Sequence, residues 1–301
     1  MSLADFRTAV EAGQYQNARW LFVQLLDDPD ISREEMAEAY CEASVAEFRA
    51  GHLHTAIAWS KVAAKLAAET RQLLLLSRVS QNLIEFCRLS GDLAAAIETG
   101  LRWLADYGDL AETAFRKGRF YYNLALAYQQ RDEVDKALSF YEKAWSHLES
   151  VRSTHPDPSE RERSQVYEVM ALQNAVWLMH EVGLDALGDE LTHKAKRLIP
   201  VGNGPLLCEQ TLLECCKLYK SGDPEAVLVA LNGVFALATS IPSHQLFRLY
   251  WLAAQAHIRQ GKTGIATAYA AMATQEAEDT RDGRVIRLAH SLEKEIHAVV
   301  Q

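Results

Sequence analysis

No apolar run in this 301-residue sequence is long enough to cross a bilayer. The longest, QLLLLS around Leu73–Leu76, falls far short of the roughly 20 residues that a spanning helix needs. The N-terminal MSLADFRTAV carries an acid at Asp5 and no extended apolar core, so a secretory leader is not expected. A basic tract is missing too. The net charge is −9 with both signs interspersed, and such a chain repels phosphate backbones. Direct nucleic-acid binding and membrane insertion are therefore disfavoured, and a cytoplasmic location is expected. Cysteine is scarce and irregular: Cys41, Cys87, Cys208, Cys215 and Cys216 form neither a disulfide framework nor a metal-spaced pair. They read as reduced, buried thiols. No stretch alternates apolar and polar residues with β-branched enrichment, so no strand is expected.

What the sequence does contain is a repeat. Hydrophobic residues make up 49% and charged residues 24%, the composition of a folded chain. Turn-forming residues recur at Gly13, Gly51, Gly91, Asp132, Gly183, Gly222 and Gly261, about 40 residues apart except for one gap of 51. Five positions after each stands Ala18, Ala56, Ala96, Ala137, Gly188, Val227 or Ala266. Glycine or aspartate tolerates the left-handed backbone that ends one helix and starts the next. A small residue one turn later lets the second helix cross the first closely. Between turns the periodicity is helical: Tyr121, Leu124, Ala125 and Tyr128 form one stripe, continued by Ala137, Tyr141 and Ala144. The largest interruption is RSTHPDPSERER, residues 152–163, where Pro156 and Pro158 predict a loop. IPVGNGPL (199–206), TSIPSHQ (239–245) and TRDGR (280–284) read as shorter connections, and 285–299 as a final amphipathic helix covering the last repeat.

Residues 121–145 resemble the tetratricopeptide repeat, matching at Tyr121, Leu124, Ala125, Tyr128, Asp132, Ala137, Tyr141 and Ala144. Gly13, Tyr15, Ala18 and Phe22 match its second half. A period near 40 exceeds the usual 34 and is similar to that of the Rap-like quorum-sensing peptide receptors and of kinesin light chains. The resemblance implies an all-α, right-handed superhelix of about seven helical hairpins plus a capping helix. It implies one solenoid over 1–301, with a joint at 151–163 dividing 1–150 from 164–301. The motif begins by Phe6, so the helix-turn-helix domain that precedes the repeats in transcriptional members is not expected here. A Rap-like inhibitor, a stand-alone adaptor and a fragment of a longer regulator all fit.

Nine residues before three consecutive turns stand Asn82, Asn123 and Asn174. Arg119, Asn123, Leu126 and Gln130 share one helix face, offset from the apolar stripe. If that face looks into the concave groove, the asparagines form a row. An amide offers both donor and acceptor, so it can satisfy a peptide unit of a visiting chain. Equivalent faces carry Arg78 and Glu85, then Trp177 and Glu181, then Arg248, Trp251, Gln255 and Arg259. Trp and Arg often dominate binding energy. Of the six tryptophans, Trp103 and Trp145 read as core, and Trp177 and Trp251 as groove-facing.

Catalytic and metal signals are weak. AHIRQGKT (256–263) ends like a phosphate-binding loop, but Ala256 replaces its leading glycine and no strand precedes it. His52 and His54 lack a third ligand at metal spacing, and His180–Glu181 lacks the second histidine of a metalloprotease helix. No catalytic residue, metal or cofactor is expected. The expected partner is a protein or peptide held in the groove, as in a signalling-peptide receptor. The alternative is an assembly scaffold that pairs with a second copy or fills its groove with its own C-terminal helix.

Overall fold

The computed structural model describes residues 3–110, 114–235, 242–280 and 282–300, and among them finds fifteen α-helices and no strand. The chain divides into two compact units, Met1–Arg131 and Asp132–Gln301. Unit 1 holds α1 (Leu3–Glu11), α2 (Tyr15–Leu26), α3 (Arg33–Arg49), α4 (Leu53–Glu69), α5 (Leu73–Leu89), α6 (Leu93–Tyr107) and α7 (Ala114–Gln130). Unit 2 holds α8 (Val134–Thr154), α9 (Pro158–Glu181), α10 (Asp185–Leu198), α11 (Gly204–Lys220), α12 (Pro224–Phe235), α13 (Ser243–Arg259), α14 (Thr263–Thr280) and α15 (Gly283–Val300).

The seven turn residues all adopt the left-handed backbone: Gly13, Gly51, Gly91, Asp132, Gly183, Gly222 and Gly261 have φ of 70, 86, 83, 59, 80, 88 and 71°. The residues five positions on are sealed. Ala18, Ala56, Ala96, Ala137, Val227 and Ala266 are each 0% exposed. A Cβ on Gly188 would sit 3.3 Å from the His180 ring. In α6 a second small residue, Gly100, faces Leu124 so closely that a Cβ would lie 2.8 Å from its side chain. Leu124, Ala125, Ala137, Tyr141 and Ala144 are fully buried, as the stripe requires, whereas Tyr121 is half-buried and its neighbour Tyr122 takes the core position.

In unit 1 the first helices α1, α3, α5 and α7 pack side by side, each touching the next, with α2, α4 and α6 behind them. Unit 2 repeats this with α9, α11, α13 and α15. Aromatic contacts weld neighbours together. Phe48 stacks on Phe86 at 4.6 Å, and Trp103 lies flat on Phe120 at 3.9 Å. Trp145, expected in the core, is half-buried. Helix α15 buries Ala289, Leu292 and Ile296 against α13 and α14, as a capping helix should.

The loop expected at 152–163 shrinks to 155–157. Helix α8 runs on through Thr154, and Pro158 becomes the first residue of α9 behind the Asp157 cap, whose carboxylate accepts from Ser159 N at 2.9 Å. Proline is well suited to that position, where its missing N–H has no partner to lose. The 51-residue gap is thus filled by long helices, 21 residues in α8 and 24 in α9, which pack together. The connection at 199–206 likewise gives way to α11 from Gly204, with Pro205 in its first turn. Residues 239–241 and Arg281 of the remaining expected connections lie outside the described residues.

Ala137→Leu should overfill its slot and lower stability by roughly 1–3 kcal/mol. A urea titration should show the midpoint falling with an unchanged slope.

Candidate functional site

Within unit 1, each inner first helix is walled by neighbours on two sides and by second helices behind. One stripe is left open. On α5 it carries Leu74, Arg78 and Glu85, all exposed, and the half-buried Asn82. On α7 it carries the half-buried Arg119, Asn123, Leu126 and Gln130. The expected face is thus largely exposed on α5, whereas on α7 it is half-buried throughout, with Arg119 Nε and Gln130 Oε1 sealed from solvent. Among the described residues neither Asn82 nor Asn123 has a hydrogen-bond partner, although each is half-withdrawn from solvent. Arg78 is tied down. Its guanidinium donates to Cys41 Sγ at 3.1 and 3.2 Å and to Glu42 at 2.7 Å. Arg7 on α1 donates to Glu38 at 2.5 Å and lies 3.8 Å from Glu42, so a ladder of alternating charge crosses α1, α3 and α5.

Unit 2 treats the matching positions differently. Asn174 is half-buried, and its amide donates to the Met170 carbonyl one turn back at 3.0 Å. Trp177, expected to face the groove, is core, 5% exposed. Its indole N–H donates to the Glu209 carboxylate, Arg248 donates to the same carboxylate, and the guanidinium lies 4.5 Å from the indole centre. Trp251 is half-buried against the α13–α15 core. Gln255 is buried, accepting from the Tyr219 hydroxyl at 2.7 Å and donating to Glu295 at 2.9 Å. Arg259 sits 3.6 Å from the Tyr219 ring centre and donates to the Tyr219 carbonyl. Glu181 accepts from Arg284.

These side chains are joined for a common reason. Arg78–Glu42 and Tyr219–Gln255 are 36 residues apart, Arg248–Glu209 is 39, and Gln255–Glu295 and Arg259–Tyr219 are 40. That is the repeat period, and equivalent positions of successive first helices are lateral neighbours. Charge and polarity complementary at one period's offset is the signal that identifies Glu42, Glu209 and Tyr219 as partners.

The other chemical candidates resolve into structure. His52 joins Glu47 at 2.9 Å and Arg19 at 3.1 Å, and His180 meets Asp185 at 2.7 Å. Gly261 is the α13–α14 turn, with a helix on either side. All five cysteines are buried. Burial pushes the thiols of Cys208 and Cys215 up to about 12 and that of Cys216 to about 11, so they stay protonated at neutral pH.

The fold has known counterparts. The apo form of RapI matches with a TM-score of 0.66, covering 93% of this chain and 100% of its own at 13% identity. The Rap conjugation gene regulator of the plasmid pLS20, solved in complex with the Phr* peptide, matches with a TM-score of 0.57. That match covers 98% of this chain and 72% of that one at 15% identity. The chain has a Rap-like, tetratricopeptide-type fold. BtubC from P. vanneervenii matches with a TM-score of 0.50 over 66% of this chain and 75% of its own, at 19% identity. No family model and no curated protein matches the sequence. Among the described residues of this Rap-like chain, no helix is long and apolar enough to cross a membrane.

Arg248→Ala should leave the Glu209 charge buried and uncompensated, costing about 3–5 kcal/mol in chemical unfolding. Adding Glu209→Gln should recover much of that loss. The native chain should react with a thiol reagent such as DTNB only as it unfolds, so its labelling rate should rise steeply across the urea transition.

Proposed function

We propose that this chain is a non-catalytic regulator in the cytoplasm, and that an extended peptide or a partner's extended segment lies along its first-helix layer. The observation that carries the reading is the pair Asn82 and Asn123. Both amides stand at matching positions of adjacent helices, half-buried and, among the described residues, without a protein partner. A half-buried amide that forgoes hydrogen bonds is costly unless a ligand or water supplies them. Packed helices lie about 8–10 Å apart, and an extended chain advances about 3.3 Å per residue. The two amides therefore suit peptide units about three residues apart, each satisfied at both C=O and N–H. Arg119, Leu126, Gln130 and Glu85 flank the row and would select side chains. The Phr* peptide held by the Rap neighbour supports the same use of this fold.

A scaffold reading draws on a different observation. Trp177, Arg248, Gln255 and Arg259 are spent on joining repeats. On that reading the partner is a second copy of the chain and the asparagines are solvated.

Peptides that co-purify with the chain, or that it retains from a random library, should be visible by native mass spectrometry. Asn82→Ala with Asn123→Ala should weaken their binding about a hundredfold, at roughly 1.4 kcal/mol for each doubly bonded amide. Circular dichroism and the melting temperature should barely change. Equal retention by the variant would overturn the grip, and concentration-dependent dimerisation with no retained peptide would favour the scaffold.

A further inference from the structure

A cleft opens in unit 1 on the side of the second helices. Its volume is about 500 Å³, inside the range of roughly 300–1,000 Å³ typical of small-ligand sites. Helices α4 and α6 flank α5, which supplies the floor through Leu76, Ser80 and Leu83. Ala64 and Ala68 on one wall and Ala95 on the other are too small to fill the space above it. Trp103 stiffens the α6 wall, lying flat on Phe120. With 3.6 residues per turn, Ser80 and Asn82 stand on opposite sides of α5, so the cleft is separate from the asparagine stripe.

Small residues alone would leave only a seam, but Ser80 adds a polar demand at the floor. It is 6% exposed, and among the described residues its hydroxyl has no partner. The Ser77 hydroxyl on the same helix is unbonded and sealed from solvent, whereas that of Ser80 reaches the cleft. A nearly buried hydroxyl without a bond costs stability unless water or a ligand supplies one. Cations stand level with it. Consecutive helices run antiparallel, so positions equally far from a shared turn lie side by side. Lys61 is ten residues before the left-handed turn at Arg71, and Ser80 nine after it. Ser80 is eleven residues before the turn at Gly91, and Arg102 eleven after it. Arg102 donates to Glu98, and Lys65 lies 4.0 Å from Glu69. Lys61 has no ion-pair partner among the described residues. The rim thus carries three cations against Glu98 and Asp106, in a chain of net charge −9.

We propose that this cleft binds a small amphiphilic anion, a carboxylate on an acyl-like apolar body. Its head accepts from Ser80 Oγ at the level of Lys61 and Arg102. Its tail lies along Leu76 against Ala64, Ala68 and Trp103. The hydroxyl gains its missing bond, Lys61 gains a counter-charge, and the apolar walls take the tail out of water. The site stands independently of the asparagine grip and on a different side of the same helix.

The test uses the full chain, octanoate as the anion and octanol as its neutral counterpart, with affinities read by calorimetry. Octanoate should bind at one molecule per chain and about fivefold more tightly than octanol, the effect of one ion pair at an exposed rim. Lys61→Gln should erase that difference by weakening octanoate alone. Ser80→Ala should weaken acid and alcohol alike, about fivefold, because both accept from the hydroxyl. Ala68→Leu fills the cleft from an exposed helix position that tolerates leucine, so the urea midpoint should hold while both ligands weaken at least fivefold. A parent chain that does not bind octanoate overturns the proposal. So does undiminished binding by Ser80→Ala or Ala68→Leu, or a Lys61→Gln variant that weakens octanol as much as octanoate.

Discussion

The structure depends on one close crossing, repeated: a second helix meets the first at a side chain no larger than a methyl or isopropyl group. Ala18, Ala56, Ala96, Ala137, Val227 and Ala266 are fully sealed at these crossings, and Gly188 fits where a Cβ would press on His180. The left-handed residue five positions earlier aims the second helix at the crossing. Interiors pack at crystal-like density, so a larger side chain there has no room. Each hairpin leaves an apolar face exposed by itself, and stacking the next hairpin covers it. Constancy of the crossing fixes the period, and the period decides which side chains meet along the first-helix layer.

That layer serves two competing ends. A polar residue on its open stripe can bond sideways to the equivalent position of the next helix, or stay unbonded and meet a ligand. Arg78, Arg248, Gln255 and Arg259 are committed sideways, and their partners lie one period away. Asn82 and Asn123 are not. An asparagine is too short to reach the neighbouring helix easily, whereas arginine spans the gap with a charge-assisted bond. Length of side chain, more than polarity, separates scaffold from candidate grip.

The turn register, the crossing residues, the buried stripe and the capping helix were legible in the sequence because each rests on local backbone preference and helical period. The loop at 152–163 was misread because a proline marks a helix start as readily as a break, and the Asp157–Pro158 pair supplies both cap and first residue. Trp177 was misread for a different reason. Its partners Glu209 and Arg248 are far along the chain, and only the register of the stack shows that a carboxylate awaits the indole N–H. The Asp132–Arg287 contact follows no period at all. It joins two segments that the repeat register does not make neighbours, so no local pattern in the sequence announces it.

The two units thus present different energetics to a visiting chain. On the proposed reading the amides of unit 1 have only water to lose, so each peptide unit they satisfy would be a net gain of about a kcal/mol. In unit 2 the charged groups already satisfy one another, and a ligand must replace like with like. Such exchange is close to neutral in free energy when the replacement matches and strongly unfavourable when it leaves a shielded guanidinium alone. On the proposed reading affinity would rest with the asparagines, whereas the arginines and acids of unit 2, already paired with one another, would penalise a ligand that breaks those pairs without replacing them.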